Sequence, residues 1–188
     1  IDFSDPVVTS FVIPSNSDSL NVPITTFTAN DGVNNVVGYK ITENNNIPFV
    51  NDIGWTSSPP IFYTFSSSGS KIIYSWVKDS FGNISSSLND SVFIDLLPSV
   101  NISIPQTSTS LTVPISNFTA TDDTGVAGYK LTETPTAPIV GDAGWTEQAP
   151  NSYTFSSANN TEPITWTART GSGSRYWNTI TSDRKSVV

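Results

Sequence analysis

The sequence of 188 residues contains no His, no Cys and no Met. The lack of His excludes His-based acid–base catalysis, Ser-His-Asp triads and His-ligated zinc. The lack of Cys excludes thiol nucleophiles, disulfides and thiolate metal sites. Any catalysis would therefore depend on carboxylates, Lys and Tyr. The chain starts at Ile1 with neither an initiator Met nor a signal peptide, which indicates a fragment or a processed start.

Charge is also scarce, since Asp, Glu, Lys and Arg make up 13% of the chain. The net charge is −8 and the pI is about 4.2, so the chain repels a phosphate backbone and we expect no nucleic-acid partner. No apolar run approaches the roughly 20 residues that a membrane span needs. We therefore expect no membrane-spanning segment.

The residues that are abundant favour short strands over helices. Ser, Thr and Asn are common, and they compete for backbone hydrogen bonds in a helix. The 13 Pro and 11 Gly mark turns between short segments. With 10 Phe, 6 Tyr and 5 Trp, the chain has the bulky side chains that a packed core requires.

The chain is an internal duplication. The segment Pro14–Asp31 matches Pro105–Asp122, and Gly38–Ser67 matches Gly128–Ser157, with more than half of the positions identical in each pair. A repeat of about 90 residues is longer than the repeats of solenoids and propellers, so each copy is expected to be a complete domain. We predict two domains, 1–95 and 96–188, joined by a short Pro-containing linker.

Each copy reads as about seven short strands separated by turn residues, which predicts an all-β chain with two tandem immunoglobulin-like β-sandwiches. The run from Leu20 to Ala29 changes phase beside Pro23, which predicts a bulge or an edge position. In the segment KIIYSWVKD, the side chains of Ile72, Tyr74 and Trp76 alternate with those of Ile73 and Val77. We expect Trp76 and Trp166 to be core residues.

Several repeated segments resemble a known family. They are TFTAxD, GYKxTE, GWT and YTF, together with YSWVKDSFGN at Tyr74–Asn83. This combination is similar to bacterial immunoglobulin-like repeats, which are related in fold to fibronectin type III domains. The resemblance implies tandem repeats of a large secreted or cell-surface protein. It covers nearly all of the first copy and extends to about Trp166 in the second.

The end of the second copy departs from this pattern from about residue 169. The residues Asp79, Gly82 and Asn83 of the first copy have no clear counterparts there, and several basic residues occur together. Either an atypical terminal strand or a reading-frame error in the gene model explains the change, and we favour the second. We expect residues 169–188 to pair less regularly than residues 79–95, and the second domain to be the less stable one.

Carboxylates at the predicted strand ends offer a candidate metal site. The residues are Asp31, Asp52 and Asp79 in the first copy and Asp122, Asp123 and Asp142 in the second, of which Asp31, Asp79, Asp122 and Asp123 are the candidate ligands. Oxygen ligands of this kind suit Ca²⁺. The alternative, which we favour, is that each Asp caps its own turn. No other cofactor is expected.

Trp55 and Trp145 occupy equivalent positions in the two copies, each within D-x-G-W-T. An exposed Trp stacks on sugar rings, so these residues are the candidate ligand site of a carbohydrate-binding module. The alternative, which we favour, is that each ring packs on the sandwich while its N–H finds a partner.

The sequence therefore predicts a non-catalytic spacer, stalk or adhesive repeat of a larger bacterial surface or secreted protein. The expected partners are neighbouring immunoglobulin-like repeats of the same chain and a cell-surface or polysaccharide ligand. A carbohydrate-binding module attached to a secreted hydrolase is the second hypothesis. Both place the chain outside the cell.

Overall fold

The computed structural model describes residues 4–32, 35–105, 107–134, 136, 138–139, 141–157, 164–170 and 177–182; for 164–170 and 177–182 it describes the backbone and the Ala168 side chain. Within these ranges there are strands and turns but no α-helix, which confirms the predicted all-β class. Accordingly, no helix among them is long and apolar enough to cross a membrane. The chain divides into two compact units, Ile1–Asp95 and Leu96–Val188.

Unit 1 is built from short runs of β-branched and aromatic residues that end at Pro, Gly or Asn. Its strands are β1 (Val7–Val12), β2 (Asn16–Ser17), β3 (Asn21–Pro23), β4 (Thr26–Asn30), β5 (Val36–Thr42), β6 (Phe62–Thr64), β7 (Gly69–Asp79) and β8 (Leu88–Ile94).

These strands form a two-layered sandwich. One layer is a four-stranded sheet in the order β2-β8-β7-β5, in which β2 pairs with β8 in parallel and the other pairs are antiparallel. The second layer consists of the pairs β1–β4 and β3–β6. The layers meet through an aromatic cluster in which Phe27 contacts Phe11 and Tyr39 edge-on, each at 5.3 Å between ring centroids.

The alternating run after Leu20 forms two strands rather than one. Strand β3 pairs with β6, whereas β4 pairs with β1. Pro23 ends β3 because it has no N–H to donate to a ladder, and two residues later Thr25 N donates to Val12 O at 2.8 Å. The phase change beside Pro23 therefore marks a change of pairing partner. Of the two predicted alternatives, the edge position is confirmed, because β3 and β4 each belong to a two-stranded pair, and the bulge is not.

Strand β7 is buried on both faces along its second half. The side chains of Ile73 and Val77 are fully buried on the core side. Trp76 lies on the opposite face by alternation, yet it is only 2% exposed, and its Nε1 donates to Thr42 Oγ1 at 2.8 Å. Trp76 is thus buried, as expected, but on the outer face of the sheet.

Unit 2 repeats this arrangement. Its strands are β9 (Ser99–Ser103), β10 (Thr112–Pro114), β11 (Asn117–Thr121), β12 (Val126–Thr132), β13 (Ser152–Thr154), β14 (Ile164–Thr170) and β15 (Trp177–Ser182). The sheet β12-β14-β15 carries Ala168, which packs in one core cluster with Val100, Ile115 and Phe118 from the other layer.

The register of β14 differs from the alignment suggested by sequence. Thr167 pairs with Lys130, the position that Trp76 holds opposite Lys40 in unit 1. Trp166 therefore stands one residue away from the Trp76 position. Arg169, opposite Gly128, holds the position that Lys78 has opposite Gly38.

The end of the chain pairs more regularly than expected where it is described. Strand β15 runs in continuous register with β14, from the pair Arg169 and Trp177 to the pair Ile164 and Ser182. Within 177–182 the pairing has no register shift, because the Trp, Ile and Thr residues there favour a strand. The expectation for residues 169–188 as a whole stays a prediction. Residues 171–176 and 183–188 lie outside the described residues. The lower stability of unit 2 stays a prediction.

Candidate functional site

The loop that carries Trp55 lies on the outer face of the four-stranded sheet of unit 1. After β5 the chain passes through residues 47–55 and returns at Thr56, which exchanges two backbone hydrogen bonds with Tyr39 at 2.8 and 2.9 Å. Within the loop, Phe49 N donates to Asp52 Oδ2 at 2.9 Å and Asp52 N donates to Phe49 O at 3.1 Å. The Asp52 carboxylate therefore caps a turn inside the loop.

Two lysines from the sheet hold this loop. Lys78 Nζ donates to Val50 O at 2.7 Å, and Lys40 Nζ donates to Ile53 O and lies 3.9 Å from Asp52 Oδ2. Both ammonium groups also lie over the Trp55 ring, at 4.8 Å from its centroid for Lys78 and 5.9 Å for Lys40. Each such cation–π contact contributes about 0.5–1 kcal/mol at an exposed site.

Glycines make this packing sterically feasible. A Cβ added to Gly38 would lie 2.7 Å from two carbons of the Lys78 side chain and 3.1 Å from a carbon of the Trp55 ring. Gly54, directly before Trp55, has a φ of 91°, which L side chains rarely adopt. The loop therefore needs a glycine below it and another within it.

Unit 2 contains the same loop. Ile139 N donates to Asp142 Oδ2 at 3.0 Å, Trp145 Nε1 donates to Ile139 O at 3.1 Å, and Lys130 Nζ lies 3.2 Å from Asp142 Oδ2. The Lys130 ammonium lies 5.9 Å from the centroid of the Trp145 ring. The Ile139 amide, with the ammonium beside it, lowers the pKa of the exposed Asp142 carboxyl.

A tyrosine–glutamate pair accompanies each loop. Tyr63 Oη donates to Glu43 Oε1 at 3.1 Å, and Tyr153 Oη donates to Glu133 Oε1 at 3.3 Å. Burial raises the pKa of Tyr63 to about 12, and the hydrogen bond to Glu43 adds to the rise. Burial likewise raises the pKa of Tyr153 to about 12, together with the negative charge of Glu133.

The two predicted ligand-binding residues, Trp55 and Trp145, are partly buried and engaged within their own units. Trp55 Nε1 donates to Phe49 O at 3.0 Å, as Trp145 Nε1 does to Ile139 O. The ring of each lies beneath at least one lysine ammonium, so a sugar ring would compete with that contact. The geometry fits the packing interpretation, and sugar binding by these residues stays a prediction.

Of the predicted calcium ligands, Asp79 is fully committed to its own turn. Its carboxylate is buried and accepts from Phe81 N at 2.9 Å and from Asn83 N and Nδ2, both at 2.8 Å. The segment from Asp79 to Asn83 is thus a capped turn between β7 and β8. Both carboxylate oxygens of Asp79 have hydrogen-bond donors within the turn and do not need a metal ion.

Asp31 and Asp122 differ from Asp79. They occupy equivalent positions after β4 and β11, and both Asp31 carboxylate oxygens and Asp122 Oδ2 are buried without a donor among the described residues. Asp122 Oδ1 accepts from Thr124 N at 2.9 Å and from Thr124 Oγ1 at 2.8 Å. The exposed Asp123 accepts from Leu96 N at 3.2 Å. Calcium binding by these carboxylates stays a prediction.

Sequence reasoning missed the lysines. It assigned no role to Lys40, Lys78 or Lys130, whereas all three contact the tryptophan loops. The available signal was the repetition itself, because GYKxTE and DxGWT occur in both copies. The Lys of GYKxTE contacts the Asp and Trp of DxGWT in both units. The Glu of GYKxTE accepts from the Tyr of the YTF segment.

Comparison with known proteins gives distant similarities of fold. No family model and no curated protein matches the chain. Among solved structures, it is similar to the fibronectin(III)-like modules of Clostridium thermocellum CbhA, with a TM-score of 0.37 and 14% identity over 94% of each chain. It is also similar to Drosophila N-cadherin EC1-3, with a TM-score of 0.34 and 15% identity over 98% of this chain and 67% of that chain.

The tyrosine–glutamate pairs predict a loss of stability in alkali. An unfolded Tyr has a pKa of about 10, and the folded values are higher, so the stability contributed by the neutral tyrosines is complete below pH about 10 and is lost as the pH rises to about 12. We expect the free energy of unfolding, measured by urea titration at successive pH values, to fall across this window.

The double variant Tyr63→Phe, Tyr153→Phe should flatten this part of the profile, because neither residue can then release a proton. Tyr74→Phe leaves both tyrosine–glutamate pairs intact and serves as the control. An unchanged alkaline profile in the double variant would contradict the assignment.

Proposed function

We propose that this chain is a non-catalytic structural module, a spacer or adhesive repeat within a larger extracellular bacterial protein. The observation that carries the proposal is that the residues repeated in the two copies make the same contacts within each unit. In both units the segments GYKxTE and DxGWT fix one loop to the outer face of a sheet. Residues retained in both copies thus serve the fold in both copies.

The hydrogen bonds of the carboxylates, the side chains best able to perform catalysis here, support this proposal. The chain has no His and no Cys. Asp79 caps a turn, Asp52 and Asp142 cap loops, and Glu43 and Glu133 accept from tyrosines. Hydrolysis of a glycoside would require two carboxylates free to act in one cleft, whereas each of these five accepts a hydrogen bond within its own unit.

Adhesion would use what each loop exposes. Phe49 and Ile53 are 78% and 94% exposed at the tip of the first loop, and Ile139 is 65% exposed in the second. The lysine contacts hold the loops that carry these apolar side chains. A neighbouring repeat or a cell-surface ligand is the partner that suits a spacer with such tips.

A binding assay separates this proposal from a carbohydrate-binding module. We expect no retention of the full chain on insoluble polysaccharides and no signal on a glycan array. The reason is that the Lys78 and Lys130 ammonium groups lie over the Trp55 and Trp145 rings, where a sugar would have to stack. Retention that is lost in the double variant Trp55→Ala, Trp145→Ala, but not in Phe62→Ala, would contradict the spacer proposal, provided that circular dichroism shows each variant folded.

Calcium is a second proposal, and the unpartnered oxygens of Asp31 and Asp122 favour it. A buried carboxylate without a donor is costly, and a divalent cation removes that cost. We expect the thermal midpoint to be higher in calcium than in chelator, with a gain of about 2.7 kcal/mol when the ion is at a hundred times its Kd.

The paired variants Asp31→Asn and Asp122→Asn should abolish the calcium-dependent rise in midpoint. Asp18→Asn removes the same charge from an exposed position and should leave it unchanged. Identical midpoints of the wild type in calcium and in chelator would overturn this second proposal.

A further inference from the structure

The first strand segment of unit 1 joins both layers of the sandwich. Strand β1 pairs with β4 in one layer, and after Pro14 the chain continues as β2, which pairs with β8 in the other layer. Pro14 has no N–H and interrupts the ladder of backbone hydrogen bonds where the chain crosses between the layers. The backbone groups beside Pro14 therefore need other hydrogen-bond partners. The segment 7–17 therefore fastens the start of the unit to both sheets.

The crossing point is fixed by one carboxylate. Ile13, 5% exposed, donates its backbone N–H to Asp90 Oδ2 at 2.9 Å, while Asp90 Oδ1 accepts from Ser91 N at 2.8 Å. Asp90 belongs to β8, the strand by which the chain leaves the unit. A hydrogen bond to an ionised acceptor is stronger than one between neutral groups.

Beyond the crossing point, β2 and β8 run parallel. Phe93 N donates to Ser15 O at 3.0 Å, and Asp95 N donates to Ser17 O at 2.9 Å. In a parallel pair, the start of one strand and the end of the other lie at opposite ends. Tension applied through the chain therefore slides β2 along β8 and loads these hydrogen bonds together rather than one after another.

We infer that unit 1 is built to bear tension along the chain, and that Asp90 is the latch that holds the crossing of the first strand to the last. The inference rests on the proposed spacer function and adds a mechanical property to it. Force that enters at Val7 meets the β1–β4 pair, then the bond between Ile13 and Asp90, and then the β2–β8 pair.

Unit 2 offers an internal comparison. Asp90 pairs with Ile73 in the β7–β8 ladder, and the equivalent pair in unit 2 is Ser182 with Ile164. The register position of the latch thus carries Ser instead of a carboxylate. The variant Asp90→Ser places the unit 2 residue in unit 1.

Single-molecule pulling tests the inference, and the absence of Cys makes the attachment points unambiguous. In the full chain, force is applied between thiols introduced by Asp5→Cys and Leu97→Cys, which flank the strands of unit 1. This geometry shears β2 against β8. When force is applied between thiols introduced by Asp18→Cys and Leu97→Cys, β8 is peeled from β2, starting at the end of the pair that is far from Asp90. We expect a clearly higher unfolding force for the first pair of attachments.

The latch itself is tested by Asp90→Ala in both geometries. Losing a hydrogen bond to a charged group should make unfolding at constant force roughly ten- to a hundredfold faster when the strands are sheared. The rate should change little when they are peeled. Asp90→Ser and Asp90→Asn should lie between wild type and Asp90→Ala, and the exposed neighbour Asn89→Ala should match wild type.

Two results would overturn the inference. Equal unfolding forces in the two geometries would show that the parallel pair bears no special load. An equal effect of Asp90→Ala in both geometries would assign Asp90 to general stability only. Either result leaves the spacer proposal intact, because the polysaccharide assay tests that proposal separately.

Discussion

Strand β7 must be covered on both of its faces, and the rest of unit 1 depends on this constraint. Its core face presents Ile73 and Val77 to the opposite layer, as in any sandwich. Its outer face carries Trp76, whose ring would expose a large apolar area if the sheet faced water. The loop of residues 47–55 lies on that outer face, held to it by Lys40 and Lys78.

This constraint connects the fold to the proposed function. Two lysines of unit 1, Lys40 and Lys78, make contacts within the unit. Both donate to loop carbonyls and lie over the Trp55 ring. Three of its carboxylates, those of Asp52, Asp79 and Asp90, accept from backbone amides. The outer surface of unit 1 includes an exposed apolar loop tip, formed by Phe49 and Ile53. A surface of this kind suits the spacer that we propose.

The class of fold could be read from the sequence because period-2 alternation, Pro and Gly punctuation and the duplication are local patterns. Strand β7 follows that alternation on its core face, where Ile73, Ser75, Val77 and Asp79 are buried, whereas β1 changes phase at the irregularity between Val8 and Ser10. Which face of β7 meets the core could not be read, since alternation separates Ile73 from Trp76 without saying what covers each. The lysine contacts depend on a loop returning across the sheet, which is a long-range event. The position of Trp166 depends on a register that begins beyond the last clear sequence match.

A double-mutant cycle between Lys78 and Trp55 tests the central claim most directly. The variants are Lys78→Met, which keeps the aliphatic chain and removes the ammonium, Trp55→Leu, and their combination, each measured by urea unfolding of the full chain. If the lysine and the ring together fix the loop, both single variants are destabilised and the coupling free energy is about 0.5–1 kcal/mol. Single variants as stable as wild type, with additive effects in the double variant, would show that the loop is not held in this way.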